Sequence, residues 1–156
     1  MMRIFSNLVV CLFFVLTMIS CNKQTVYHSY QSLPNDGWKK SDTLSFQIEN
    51  TDSIPHTVRL FAEVRNKNNY PYQNLSLSVY HNLQDSTHWK RDTISLNLTD
   101  KAGNWIGTGC GNLYQSSKFI GSIVISQKGN HRIKVIHRMT DDRLIGLSDI
   151  GIKVSR

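Results

Sequence analysis

Val58-Arg59-Leu60-Phe61-Ala62-Glu63-Val64-Arg65 decides the fold class. Successive side chains of an extended chain point to opposite faces, so Val58, Leu60, Ala62 and Val64 share one side and Arg59, Phe61, Glu63 and Arg65 the other. One apolar and one largely polar face mark a half-buried antiparallel strand. The same period of two recurs on either side. Upstream, Leu44, Phe46 and Ile48 alternate with Ser45, Gln47 and Glu49. Downstream it returns in Leu75, Leu77 and Val79, in Ile94, Leu96 and Leu98, and in Ile150, Ile152 and Val154. Segments 119–126 and 131–139 are rich in β-formers with weaker alternation. Turn residues punctuate the runs at Asn68-Asn69-Tyr70-Pro71, Asp100-Lys101-Ala102-Gly103 and Lys128-Gly129-Asn130, the last suited to a tight hairpin. Each such strand must bury its apolar face against another, and two stacked sheets achieve this. The pattern predicts an all-β protein, an antiparallel β-sandwich of jelly-roll or immunoglobulin-like type. It would have seven to eight strands in a single domain over 38–156, with no amphipathic helix of useful length.

The N-terminus reads differently. Arg3 precedes an apolar run over 8–19 interrupted only by Thr17. That is short of the about 20 residues needed to span a bilayer, and it fits the apolar region of a secretory signal. Met18-Ile19-Ser20-Cys21 closes it, followed by polar Asn22, Lys23 and Gln24. A small residue before a cysteine at the end of an apolar run resembles the bacterial lipobox, with Met18 where leucine is usual. The resemblance implies a cleaved lipoprotein signal over 1–20 and acylation of Cys21. Two or three chains on one cysteine hold where a single chain is marginal. Residues 21–37 then read as a lipid-anchored tether and turn, the turn being Leu33-Pro34-Asn35-Asp36-Gly37-Trp38.

Of three cysteines, Cys11 leaves with the signal and Cys21 carries the lipid, so Cys110 has no partner for an internal disulfide. It is expected to be a small buried hydrophobe. The chain holds 18 Lys and Arg against 11 Asp and Glu, a net charge of +7, one less once Arg3 is removed. The cations are scattered apart from pairs such as Lys39-Lys40 and Lys90-Arg91. That argues for a solvated surface and against nucleic acid.

Several segments together resemble the gliding-motility lipoprotein GldH family of Bacteroidetes. They are the run Val26 to Trp38, Val64-Arg65-Asn66 with Tyr70-Pro71-Tyr72-Gln73-Asn74-Leu75, Gly103-Asn104-Trp105-Ile106-Gly107-Thr108-Gly109, and Asp142-Arg143-Leu144-Ile145-Gly146-Leu147 with Asp149-Ile150-Gly151-Ile152. Their order matches, and they span most of 26–154. Ile145 stands where the family would have proline. The resemblance implies a non-catalytic envelope lipoprotein needed for gliding motility and the associated protein-secretion machinery, partnered by other envelope proteins and by the membrane through Cys21. It implies no cofactor. Surface-exported lipoproteins of such bacteria carry acidic residues after the lipidated cysteine, and 22–32 has none. The expected location is therefore the periplasm-facing leaflet of the outer membrane.

Catalytic patterns are few. His28, His56, His81, His88, His131 and His137 lack metal-ligand spacing, although His131 and His137 fall on one face of a strand. Asp141-Asp142 reads as loop before strand rather than a catalytic carboxylate pair, and the glycines at 103, 107, 109 and 111 precede neither lysine nor helix. No metal site is expected. Trp38, Tyr72, Trp105 and Tyr114 lie in turn-like segments and are candidate contacts to a partner or ligand, since Tyr and Trp suit both uses. The alternative function is a lipid-anchored glycan- or peptidoglycan-binding module. Finally, Asp42-Thr43-Leu44, Asp52-Ser53-Ile54, Asp85-Ser86-Thr87 and Asp92-Thr93-Ile94 resemble the O-glycosylation acceptor of Bacteroidetes exported proteins, with Thr43, Ser53, Ser86 and Thr93 as acceptors.

Overall fold

A computed structural model describes residues 25–156. The signal expected over 1–20, the acylation site Cys21 and residues 22–24 lie outside the described residues. Eleven strands follow in order: β1 (Thr25–Ser32), β2 (Trp38–Lys39), β3 (Leu44–Asn50), β4 (His56–Lys67), β5 (Asn74–His81), β6 (Lys90–Asn97), β7 (Thr108–Cys110), β8 (Leu113–Ile125), β9 (Gly129–His137), β10 (Arg143–Leu144) and β11 (Leu147–Ser155). Eight of them have seven or more residues, and these build the sandwich read from the periodicity.

One sheet runs β1-β11-β4-β8-β7 and the other β3-β9-β5-β6, while β10 and β2 form a two-stranded cap. All pairings are antiparallel. The core lies between the sheets. Val58, Leu60, Ala62 and Val64 of β4 and Ile150, Ile152 and Val154 of β11 meet Phe46, Ile48, Leu75, Leu77, Val79, Ile133 and Val135 of the opposing sheet. Burial of apolar surface on this scale dominates the stability of such a domain.

Bulges interrupt β8 and β11, and the one in β8 accounts for the weak alternation of 119–126; in 131–139 the ladder is regular, and buried His131 and His137 occupy core positions of β9. In β8, Phe61 pairs with Phe119 but Leu60 pairs with Gly121, so Ile120 is an extra residue. The residues opposite the inward positions of β4 therefore switch from Ser116 and Lys118, the latter exposed, to Gly121, Ile123 and Ile125. In β11, Asn66 faces Leu147 and Arg65 faces Asp149, leaving Ser148 extra, so Leu147 and Ile150 both point inward.

The expected tether over 21–37 is corrected at 25–32. That run is β1, paired along its length with β11 from Thr25↔Ser155 to Ser32↔Asp149. An edge strand has one ladder partner, and β1 reaches the core chiefly through Tyr27, so it carries no aliphatic alternation to read.

Antiparallel order also sorts the loops. One end of the sandwich gathers the start of β1, the C-terminus and loops 51–55, 82–89 and 126–128; the other gathers 33–43, 68–73, 98–112 and 138–146.

Candidate functional site

The four candidate contact residues all belong to the end remote from Thr25, in two different roles. Trp38 is corrected from contact to core. It is 1% exposed, its Nε1 donates to the Asp42 carbonyl at 3.1 Å, and its ring meets His137 edge-on at 5.1 Å between centroids. Paired through β2 to Leu144 of β10, it plugs the mouth of the sandwich.

Trp105, Tyr114 and Tyr72 remain partly accessible. Loop 98–107 positions Trp105. Leu98 donates to the Gln73 carbonyl at 2.8 Å, Ile106 donates to the Leu98 carbonyl at 3.0 Å, and Asp100 Oδ1 accepts the Ala102 and Asn104 amides, each at 2.9 Å. The Asn104 side chain, bonded to Asp100 Oδ2, holds the Asp100 carboxyl below its ordinary value. Gly103 closes this turn at φ 89°, a conformation costly for other residues. Trp105 stacks on Tyr114 with centroids 5.9 Å apart and 27° between planes, so each ring covers a face of the other. Beside them Ile106 is 56% exposed. An open groove of about 320 Å³ is lined by Asn97, Ile106, Thr108, Gln115, Ser116 and Ser117.

Tyr72 belongs to a second aromatic pair. Its ring packs against Tyr70 at 5.6 Å and its hydroxyl donates to Asp141, which raises the pKa of that hydroxyl. Tyr70 is buried and donates to the Asn74 carbonyl at 3.0 Å; burial raises its pKa too. The remote end thus offers two aromatic pairs and the exposed Ile106 and Ile145 on loops fastened to the sheets.

A cluster that the sequence reading missed lies on the outer face of the β1-containing sheet. Glu63 of β4 points away from the core yet is only 5% exposed. The Tyr30 hydroxyl donates to its Oε2, and His28 Nε2 lies 2.8 Å from the same oxygen. Arg65 lies over the Tyr30 ring at 3.9 Å, and its Nε donates to Gln115 at 3.1 Å. Burial, and then the carboxylate, raise the Tyr30 pKa, so the phenol stays protonated and keeps donating. Next to it Phe61 and Phe119 pair at 5.3 Å under the Arg59 guanidinium. Two tyrosines in the β-prone run over 25–32 were the available signal. The cluster ties β1 to β4 across β11 and is a fastening, since Glu63 Oε2 is already occupied by two donors.

His131 and His81 are held inside the fold. The two ring nitrogens of His131 lie 3.0 Å from the Asn82 and Gln127 carbonyl oxygens, and His81 Nε2 lies 3.0 Å from Asp92. Cys110 is exposed, which corrects its expected burial: β7 is a three-residue edge strand with all positions open to solvent. Thr43, Ser53, Ser86 and Thr93 are all exposed. Cys21 lies outside the described residues.

The family model described as GldH lipoprotein matches residues 25–154. The gliding motility lipoprotein GldH homolog of Christiangramia forsetii is 25% identical over 163 residues, which cover 99% of this chain and 98% of that one. The gliding motility lipoprotein GldH of Flavobacterium johnsoniae is 26% identical over 162 residues, covering 99% of each. Among solved structures, the mosquito-larvicidal Cry4Aa toxin of Bacillus thuringiensis matches with a TM-score of 0.50 at 7% identity, over 81% of this chain and 21% of the toxin. That likeness concerns the fold alone.

Proposed function

The chain belongs to the GldH lipoprotein family, and from that premise we propose that it is a non-catalytic component of a gliding-motility and protein-secretion assembly, held at the periplasm-facing leaflet of the outer membrane by a lipid on Cys21. The observation that carries this reading is the division of the sandwich into two ends. The strand that follows Cys21 begins at one end, and the partly accessible Trp105, Tyr114 and Tyr72, with Ile106 and Ile145, gather at the other. Anchor and contact surface are thereby separated by the length of the sheets, and an arrangement of that kind suits a protein that presents a surface to envelope partners. Several side chains of the kinds chemistry would need are engaged in structure: Glu63 with Tyr30 and His28, Asp100 with its own loop, His131 beside two carbonyls.

A second reading, a lipid-anchored glycan- or peptidoglycan-binding module, is favoured by the polar groove next to Ile106, whose hydroxyls and amides suit a sugar. The exposure of Thr43, Ser53, Ser86 and Thr93 supports O-glycosylation at one or more of them, and the intact mass of the native protein tests that directly.

The functional test replaces the chromosomal copy with Cys21→Ala, or with Trp105→Ala combined with Ile106→Asp. Colony spreading and the secreted-protein profile are then scored while the variants accumulate as folded protein. Both variants should lose function. Wild-type spreading and secretion in both would overturn the assembly role.

A further inference from the structure

Three residues separate Cys21 from Thr25, four Cα-to-Cα steps with a reach of at most about 14 Å even fully extended. Thr25 starts β1 opposite Ser155, at the end of the sandwich formed by loops 51–55, 82–89 and 126–128. A lipid on Cys21 therefore holds this end close to the bilayer and leaves the opposite end remote from it.

The surface of this near end suits that position. Single exposed apolar residues are ordinary on any protein; their concentration here is not. Seven large apolar side chains are exposed among the described residues, and four of them belong to this end: Val26 at the start of β1, Ile54 in loop 51–55, Trp89 in loop 82–89 and Val124 at the end of β8. Ile54 is 79% exposed, the most of the seven. Trp89 is 45% exposed with the Lys134 ammonium 4.9 Å from its ring centre, an amphipathic pairing of the kind found where one side of a residue meets lipid and the other water. The charges do not oppose such contact. The two carboxylates in these loops are engaged, Asp52 by Arg156 and Asp85 by the Thr87 and His88 amides, while Lys128 supplies a cation that can reach headgroups on its flexible stem.

We infer that this end of the sandwich rests in the lipid surface, with Ile54, Trp89, Val26 and Val124 entering the headgroup region, so that the domain stands upright on the membrane instead of swinging from its anchor. The inference rests on the acylation of Cys21 proposed above. A second, shallow apolar contact also fixes orientation, which one flexible attachment cannot do. It requires Ser53 and Ser86 to be unglycosylated, because a sugar beside Ile54 would hold the loops off the surface.

The test uses the full acylated chain, with Cys110→Ser, in vesicles of phosphatidylethanolamine and phosphatidylglycerol. A nitroxide is placed at Ile54→Cys or, at the opposite end, at Ile145→Cys. Power-saturation spectroscopy then compares collisions with oxygen, which partitions into lipid, and with a water-soluble nickel complex. The oxygen-to-nickel ratio should be several-fold higher at position 54 than at 145. Equal, water-like ratios in protein that still floats with the vesicles would overturn the resting surface and leave the anchor intact. Protein that fails to float would overturn the acylation reading, and this inference with it. A glycan found on Ser53 or Ser86 would also overturn it.

Discussion

The Tyr30 hydroxyl bonds the carboxylate of Glu63 across an intervening strand, and the residue between them is Gly151. The three stand in one row of the sheet, Tyr30↔Gly151↔Glu63. A Cβ built on Gly151 would lie 2.6 Å from Tyr30 Cε1, so the bond exists because position 151 has no side chain. Gly151→Ala should therefore displace the tyrosine and destabilise the domain by about 1–3 kcal/mol in denaturant unfolding. In a double-mutant cycle with Tyr30→Ala the two losses should be strongly non-additive. Additive losses would show that the row does not act as a unit.

Trp38→Ala should cost about 3–5 kcal/mol, the range for emptying a large aromatic site in a core. The loss should appear in the isolated protein as a lowered unfolding midpoint. An unchanged midpoint with weakened partner binding would return Trp38 to the surface role first expected of it.

His81 and His137 are buried on the inner face, and burial lowers both pKa values below the 6.5 of an unfolded imidazole. As pH falls, the unfolded chain takes up these protons first. The stability linked to the neutral imidazoles is complete above pH 6.5 and declines as pH falls from there through their folded values. The unfolding midpoint should accordingly drop between about pH 7 and pH 5. His137→Phe should flatten that drop, because it removes an imidazole whose protonation burial opposes. An identical slope in the variant would exclude His137 as a source of the dependence.

Cys110 should react with a maleimide in the native protein at nearly the rate seen in denaturant, since its strand is open to solvent. Strong native protection would contradict its position on β7.

The sandwich was legible because each long strand has one aliphatic face, as in Val58, Leu60, Ala62 and Val64. Where the alternation was weak there were two causes: a backbone bulge in β8, and in β9 the histidines at buried positions 131 and 137. Ile120 and Ser148 insert into their ladders and invert the phase of β8 and β11, and a rule of strict alternation cannot follow a strand through a bulge. β1 was hidden because an edge strand needs less apolar surface. The candidate contacts were legible as aromatics in turns, but turn chemistry does not distinguish a ring that plugs the sandwich, as Trp38 does, from rings that reach solvent, as Trp105 and Tyr72 do. The outer-face cluster needed three strands in register and was out of reach of any local pattern.

The arrangement proposed for the chain is an anchor at one end of the sandwich and a surface for envelope proteins at the other. A photo-crosslinking residue placed at Ile106 or Tyr72 in living cells, with the captured species identified by mass spectrometry, tests it most directly. The same one or two envelope proteins should be captured from both positions and lost when Cys21→Ala removes the anchor. No protein captured from either position, with the chain retained instead on the peptidoglycan fraction, would contradict that arrangement.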